Sequence, residues 1–189
     1  VLKTFTIKHI AKALTQLREY GIDGVIIGST CIDILLGRTC EGDLDLFITS
    51  ISPLLEENKI RQIAFSHGWS TGTTELGTPS ITMNIDDTEI TIELYENIMD
   101  FYIAPEALDL CRRTTIIDNI EINYIAPECW IVFKARRGSG KDMTELATVK
   151  NMVEEGMLTI DKTLIEKIAD LYEDDKHYII ERLKTLKIL

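Results

Sequence analysis

Residues 24–48, GVIIGSTCIDILLGRTCEGDLDLFI, constrain the fold more than any other stretch. Val25-Ile26-Ile27 is a short β-branched run, which predicts a buried strand. Gly28-Ser29 ends it. Thr30 to Leu36 reads as a short helix, with Ser29 as its N-cap and Gly37 as its stop. A loop from Arg38 to Gly42 leads to a second strand, Asp43 to Ile48.

The flanking sequence extends this α/β pattern. Ile7, Ile10, Ala11, Leu14 and Leu17 fall on one face at 3.6 residues per turn, so a helix is expected between a Thr6 cap and Gly21. Pro53 is expected to open a helix reaching His67, with Gly68 as its C-cap. Trp69 to Thr74, Ser80 to Ile85 and Glu89 to Tyr95 read as strands, the last two joined by a tip at Asp86-Asp87-Thr88. Pro105 opens a short helix to Cys111. Thr114 to Ile117 and Ile120 to Tyr124 form a second hairpin about Asp118-Asn119. From Pro127 the pattern is helical: Pro127 to Arg137, Lys141 to Glu155, Asp161 to Tyr172 and Lys176 to Leu189. The expected organisation is an α/β (α+β) core over residues 1–125, a mixed sheet flanked by helices, with a helical C-terminal subdomain over 126–189.

Composition narrows the partners. A formal charge of −11 argues against a chain that coats nucleic acid nonspecifically, because phosphate neutralisation needs a basic surface. A local basic patch remains compatible with it. No apolar run nears the roughly 18 residues of a membrane span, and VLKTFTIKHIAK lacks a signal-peptide core. A soluble, cytoplasmic protein without membrane partners is therefore expected. Cys31, Cys40, Cys111 and Cys129 show no CxxC spacing and are expected as free or buried thiols. His9, His67 and His177 are isolated, which disfavours a zinc site.

Chemistry concentrates where the strand turns into the helix. Free N–H groups at Gly28-Ser29, with the helix dipole behind them, suit a phosphate, and glycine lets it approach. Asp43 and Asp45 lie two apart on a predicted strand, so both carboxylates share a face. Carboxylates side by side repel unless a cation lies between them. A hard ion such as Mg²⁺, held by oxygens and substrate phosphates, is the usual answer. Glu93 in ITIELY is the candidate third acid, because Thr91, Glu93 and Tyr95 face away from Ile90, Ile92 and Leu94. Glu89 and Glu96 are weaker choices. The plain alternatives are a solvent-facing strand edge for Asp43 and Asp45 and a solvated sheet face for Glu93.

This pattern resembles the nucleotidyltransferase superfamily related to DNA polymerase β. That superfamily carries Gly-Ser after a first strand, then a strand with hydrophobic-Asp-hydrophobic-Asp/Glu. Here these are Gly28-Ser29 and Asp43-Leu44-Asp45. The usual third acid is Asp, so Glu93 is a mild departure. A second segment, FKARRGSGKDMTEL, is similar to a Lys…Arg…Arg/Lys-Asp motif of the abortive-infection type IV toxin branch, through Lys134, Arg137, Lys141 and Asp142. Lys134 and Arg137 are three apart and share a helix face, where a solvated surface is the plain alternative. Glu145 stands where that branch often has Asp. GSGKD is not a P-loop, since Ala135 replaces the first Gly and Asp142 follows the Lys.

The resemblance implies a nucleotidyltransferase fold and two-metal transfer of an NMP from an NTP such as ATP. Asp43, Asp45 and Glu93 would hold two Mg²⁺ or Mn²⁺ ions. Gly28, Ser29 and Thr30 would contact the β- and γ-phosphates. Lys134, Arg137 and Lys141 would offset charge on pyrophosphate. The acceptor would be an RNA 3′ end or a protein hydroxyl, as in toxin relatives. The alternatives are a small molecule, as for antibiotic nucleotidyltransferases, or a non-catalytic nucleotide-binding module. Arg38 is expected to pair with Glu41, the alternative being contact with a nucleotide phosphate. The C-terminal helices carry core stripes (Ile179, Ile180, Leu183, Leu186), and exposed apolar positions there would suit a homodimer or partner contact.

Overall fold

The computed structural model describes residues 3–99 and 101–189. The chain forms two compact units. The first comprises Val1–Tyr102 and Arg113–Tyr124, the second Ile103–Arg112 and Ile125–Leu189.

The first unit is built on a seven-stranded mixed sheet. Its elements in chain order are β1 (Thr4–Phe5), α1 (Ile7–Arg18), β2 (Gly24–Ile26), α2 (Thr30–Leu36), β3 (Cys40–Glu41), β4 (Leu44–Ile48), α3 (Glu57–Ser66), β5 (Ser70–Thr73), β6 (Pro79–Ile85) and β7 (Thr88–Tyr95). After α4 (Pro105–Cys111), which lies in the second unit, β8 (Arg112–Ile117) and β9 (Ile120–Ile125) return to this sheet. The strand order is β5-β6-β7-β4-β2-β9-β8. β4 runs parallel to β7 and antiparallel to β2, and β2 runs parallel to β9. The β6–β7 and β8–β9 tips, Asp86-Asp87 and Asp118-Asn119, all have positive φ, the left-handed pair that two-residue hairpins require.

The core of this unit follows from side-chain period. Ile90, Ile92 and Leu94 of β7 are fully buried, as are Leu44 and Leu46 of β4. On α1, Ile10, Ala13, Leu14 and Leu17 form the buried stripe that packs toward β6. Each fully buried aliphatic side chain stabilises by roughly 1.5–3 kcal/mol. At its start, the Thr6 N–H donates to His9 Nδ1 at 3.0 Å, which fixes an otherwise unpaired terminal group.

Two local expectations are corrected. The helix after Pro53 begins at Glu57, not at the proline. Residues 53–56 form a turn, because Glu96 Oε1 accepts from Leu54 N at 2.9 Å and Ser52 Oγ accepts from Leu55 N at 3.2 Å. The loop before β4 also contains β3, which pairs antiparallel with β1. Strands of two residues carry no readable period.

The second unit adds α5 (Pro127–Arg137), α6 (Gly140–Glu154), α7 (Lys162–Asp170) and α8 (Lys176–Thr185). α5 is the central helix and packs on α4, α6, α7 and α8. Its C-terminal carbonyls of Ala135 and Arg136 accept from Arg182 Nη1 at 2.6 and 2.9 Å, so a cation offsets the helix end. Buried Glu128 accepts from Asp161 N at 2.8 Å, and Asp161 in turn caps α7. Cys111 and Cys129 form a disulfide, while Cys31 and Cys40 are buried outside any disulfide. The free-thiol expectation therefore fails for one pair. The chain leaves α4, runs through the β8–β9 hairpin and returns, so Ala126 N donates to Cys111 O at 2.8 Å and brings α5 alongside. Linear spacing does not show that return. Among the described residues, no helix is long and apolar enough to cross a membrane.

Candidate active site

The strand–turn–helix unit and the acidic strand meet along one row of the sheet. Register sets Val25 opposite Phe47 and Ile26 opposite Leu46. Ile27 continues the ladder by donating its N–H to the Asp45 carbonyl at 3.0 Å. Gly28 follows, and a Cβ there would lie 2.1 Å from Asp45 Oδ2. The missing side chain lets the Asp45 carboxylate lie against the turn. On the other side of β4, the parallel register sets Asp45 beside Glu93 and Phe47 beside Tyr95. Ser80 of β6 is the next neighbour beyond Glu93.

Asp43 is placed differently from its expected strand position. It precedes β4 and is exposed, just after Gly42 turns the chain with φ of +85°. Among the described residues, no group of three His, Cys, Asp or Glu is gathered closely enough to hold a metal ion. The juxtaposed pair is Asp45 and Glu93, both half-buried. Their donors are all oxygens. Mg²⁺ is ordinarily held by one or two carboxylates plus substrate phosphates, so these residues fit that ion in its phosphate-bound form.

Thr30 is buried and Ser29 is exposed. Ser29 occupies the position before α2, but its hydroxyl caps nothing. Its backbone is already helical (φ −57°, ψ −22°), not the extended geometry of a side-chain cap. Arg38 also departs from expectation. Its Nε donates to the largely buried Asp33 Oδ1 at 2.6 Å rather than to Glu41, because the left-handed turn at Gly37 folds it back onto α2. Burial, with the Asp33 charge, pushes the Cys40 thiol up to about 12 against the opposing effect of Arg38.

Tyr95, which sequence reasoning passed over, lies beside the candidate pair. Its phenol donates to Glu93 Oε2. Its ring lies 5.4 Å from Phe101, which lies 6.3 Å from Phe47. Burial, the Glu93 hydrogen bond and the charges of Asp45, Glu93 and Glu75 push its ionisation far up, so the phenol keeps its proton. The available signal was alternation: Tyr95 is two residues from Glu93 on the same strand face.

Lys134, Arg137 and Lys141 belong to the second unit. Lys134 Nζ sits 3.2 Å from Asp142 Oδ1 and 2.5 Å from Glu145 Oε2, and 5.4 Å from the Trp130 ring centroid. Arg137 makes a bidentate pair with Asp142, at 2.8 and 2.5 Å. Asp142 also accepts from Ser139 N and Oγ while Ser139 Oγ accepts from Asp142 N, a reciprocal cap that starts α6. Burial pushes the Asp142 carboxyl up, but Arg137 and Ser139 outweigh it and hold the group well below the usual carboxylate range. Lys141 is exposed in the first turn of α6.

The chain is similar in fold to an antigenic nucleotidyltransferase-like protein from Paracoccidioides brasiliensis, with a TM-score of 0.51 and 16% identity over 93% of this chain and 94% of that one. It also aligns with the antibiotic-resistance factor ANT(2'')-Ia, with a TM-score of 0.48 and 17% identity over 91% of this chain and 95% of that one. Among curated proteins none matches the sequence. One protein family, described as a nucleotidyl transferase of unknown function (DUF2204), matches residues 6–185. That span contains the Gly28 turn, the acidic strand, Glu93 and the basic helix, and the chain belongs to this nucleotidyl transferase family.

Proposed function

We propose that the chain transfers an NMP from an NTP to a hydroxyl acceptor, an RNA 3′ end or a protein side chain, in a Mg²⁺-dependent reaction. The observation that carries this reading is the register of β4 and β7, which sets Asp45 beside Glu93 with Gly28 against Asp45. Asp45 and Glu93, the juxtaposed pair, would hold the metal together with substrate phosphates, and Asp43, exposed ahead of β4, is not gathered with them. Bound there, Mg²⁺ supplies Lewis-acid polarisation of the α-phosphate and a template for in-line displacement.

The chain's own groups do the rest. Glu93 accepts the proton of the acceptor hydroxyl. Gly28, Ser29 and Thr30 contact the β- and γ-phosphates through backbone N–H and hydroxyl groups. The resemblance assigns Lys134, Arg137 and Lys141, all in the second unit, to charge on pyrophosphate, and in Lys134 and Arg137 that role would compete with their pairs to Asp142 and Glu145.

The test is transfer from α-labelled NTPs to separate pools of RNA and protein, by wild type and Glu93→Gln. Label in one pool, at least 100-fold reduced in the variant, is expected. Label transfer that Glu93→Gln leaves intact contradicts the assignment of Glu93.

A further inference from the structure

We infer that Tyr95 is a positioning residue that fixes the Glu93 carboxylate for metal binding, and that Phe101 locks Tyr95 in place. The inference rests on the proposed metal site.

The argument begins with the strand. Glu93 and Tyr95 are i and i+2 on β7, so both side chains leave the same face. A glutamate has three side-chain torsions and, on a half-buried face, many orientations to lose on binding an ion. The Tyr95 phenol donates to one oxygen, Glu93 Oε2. A carboxylate has roughly four acceptor positions, so one such bond restricts the group and leaves Oε1 for a cation. Hydrogen bonds from outer groups to metal ligands orient the ligands, and losing one typically costs about 10- to 100-fold in affinity.

The phenol is useful as a guide only if its ring is held. The ring of Phe101 lies 5.4 Å from that of Tyr95, tilted by 38°, and 6.3 Å from that of Phe47. Phe47 is the register partner of Tyr95 on β4, as Asp45 is of Glu93. The two aromatic residues and the two carboxylates therefore form adjacent rows on the same two strands. Phe101 is anchored by backbone: Ile98 N donates to Phe101 O at 2.8 Å and Phe101 N to Ile98 O at 3.1 Å. Packing fixes the ring, the ring fixes the phenol, and the phenol fixes the carboxylate.

The test uses the full chain and Mn²⁺ with inorganic tripolyphosphate, a probe that needs no base preference. Free Mn²⁺ is followed by electron paramagnetic resonance for wild type, Tyr95→Phe, Phe101→Leu and Glu93→Gln, with metal-free melting temperatures alongside. Tyr95→Phe keeps the ring and removes the donor. About a tenfold weaker Mn²⁺ affinity at an unchanged melting temperature is expected for it, with a smaller loss for Phe101→Leu and the largest for Glu93→Gln. A merely structural tyrosine would move the melting temperature and leave the affinity alone. Wild-type affinity in Tyr95→Phe, with Glu93→Gln impaired, overturns the positioning role and keeps the metal site. Equal affinity in wild type and Glu93→Gln, or no binding by wild type, overturns both. Should Tyr95→Phe fail to fold, Phe101→Leu decides: wild-type affinity there contradicts the lock.

Discussion

Gly28 and Gly24 lack side chains for related reasons on the same strand–turn unit. At Gly24, a Cβ would lie 2.1 Å from the Phe47 carbonyl oxygen, a backbone atom that cannot swing aside. At Gly28 it would lie 2.1 Å from Asp45 Oδ2, the end of a side chain that can. The two alanine substitutions should therefore differ in kind. Gly24→Ala is expected to destabilise by about 1–3 kcal/mol, as overpacking does. Gly28→Ala is expected to cost little stability but to push the Asp45 carboxylate out of its row, with loss of Mg²⁺–NTP binding. Thermal unfolding and calorimetry on the same samples separate the two effects. A Gly28→Ala protein that binds Mg²⁺–NTP normally would show that Asp45 need not rest against the turn.

Elements differ in how legible they were. β2, α2, β4 and the two hairpins could be read because their signals are local: a β-branched run, a Gly37 stop, and Asp or Asn at the tips. The helix after Pro53 was misread because proline suits a turn as well as a first helical turn. Glu96, far along the chain, decided the matter by accepting from Leu54 N. The start of α6 rests on a similar convergence. Asp142 is fully buried and takes hydrogen bonds from Arg137 and Ser139. Its carboxyl is held below its unfolded value of about 3.9. The stability it contributes is therefore fully present above that value and is lost as pH falls toward the lower folded one. Acid titration of unfolding should show this limb in wild type and not in Asp142→Asn. At neutral pH the variant should lose about 2 kcal/mol, less than the roughly 3–5 of a fully buried pair because Arg137 is exposed. A pH-independent difference between the two proteins would contradict the assignment.

At the scale of the whole molecule, the sequence supplied candidates and the sheet supplied neighbours. Asp45 and Glu93 could each be nominated from alternation, but only the parallel β4–β7 register shows that they are adjacent. The place of Asp43 ahead of the strand, the Arg38–Asp33 pair and the Cys111–Cys129 disulfide depend on which side chains the turns bring together, which local pattern does not encode even where the turns themselves are legible. Tyr95 escaped notice because an aromatic residue on a strand reads first as packing. The acidic total of −11 makes a phosphate-rich ligand costly to approach unless a cation accompanies it, which would couple the proposed nucleotide binding to metal. The most direct measurement is calorimetric titration of each NTP, with and without Mg²⁺, into wild type and the double variant Asp43→Ala/Asp45→Ala. Mg²⁺-dependent binding by wild type, abolished in a folded double variant, is the predicted result. Binding that ignores Mg²⁺, or that survives in the double variant, would contradict a metal-carboxylate site at the centre of this fold.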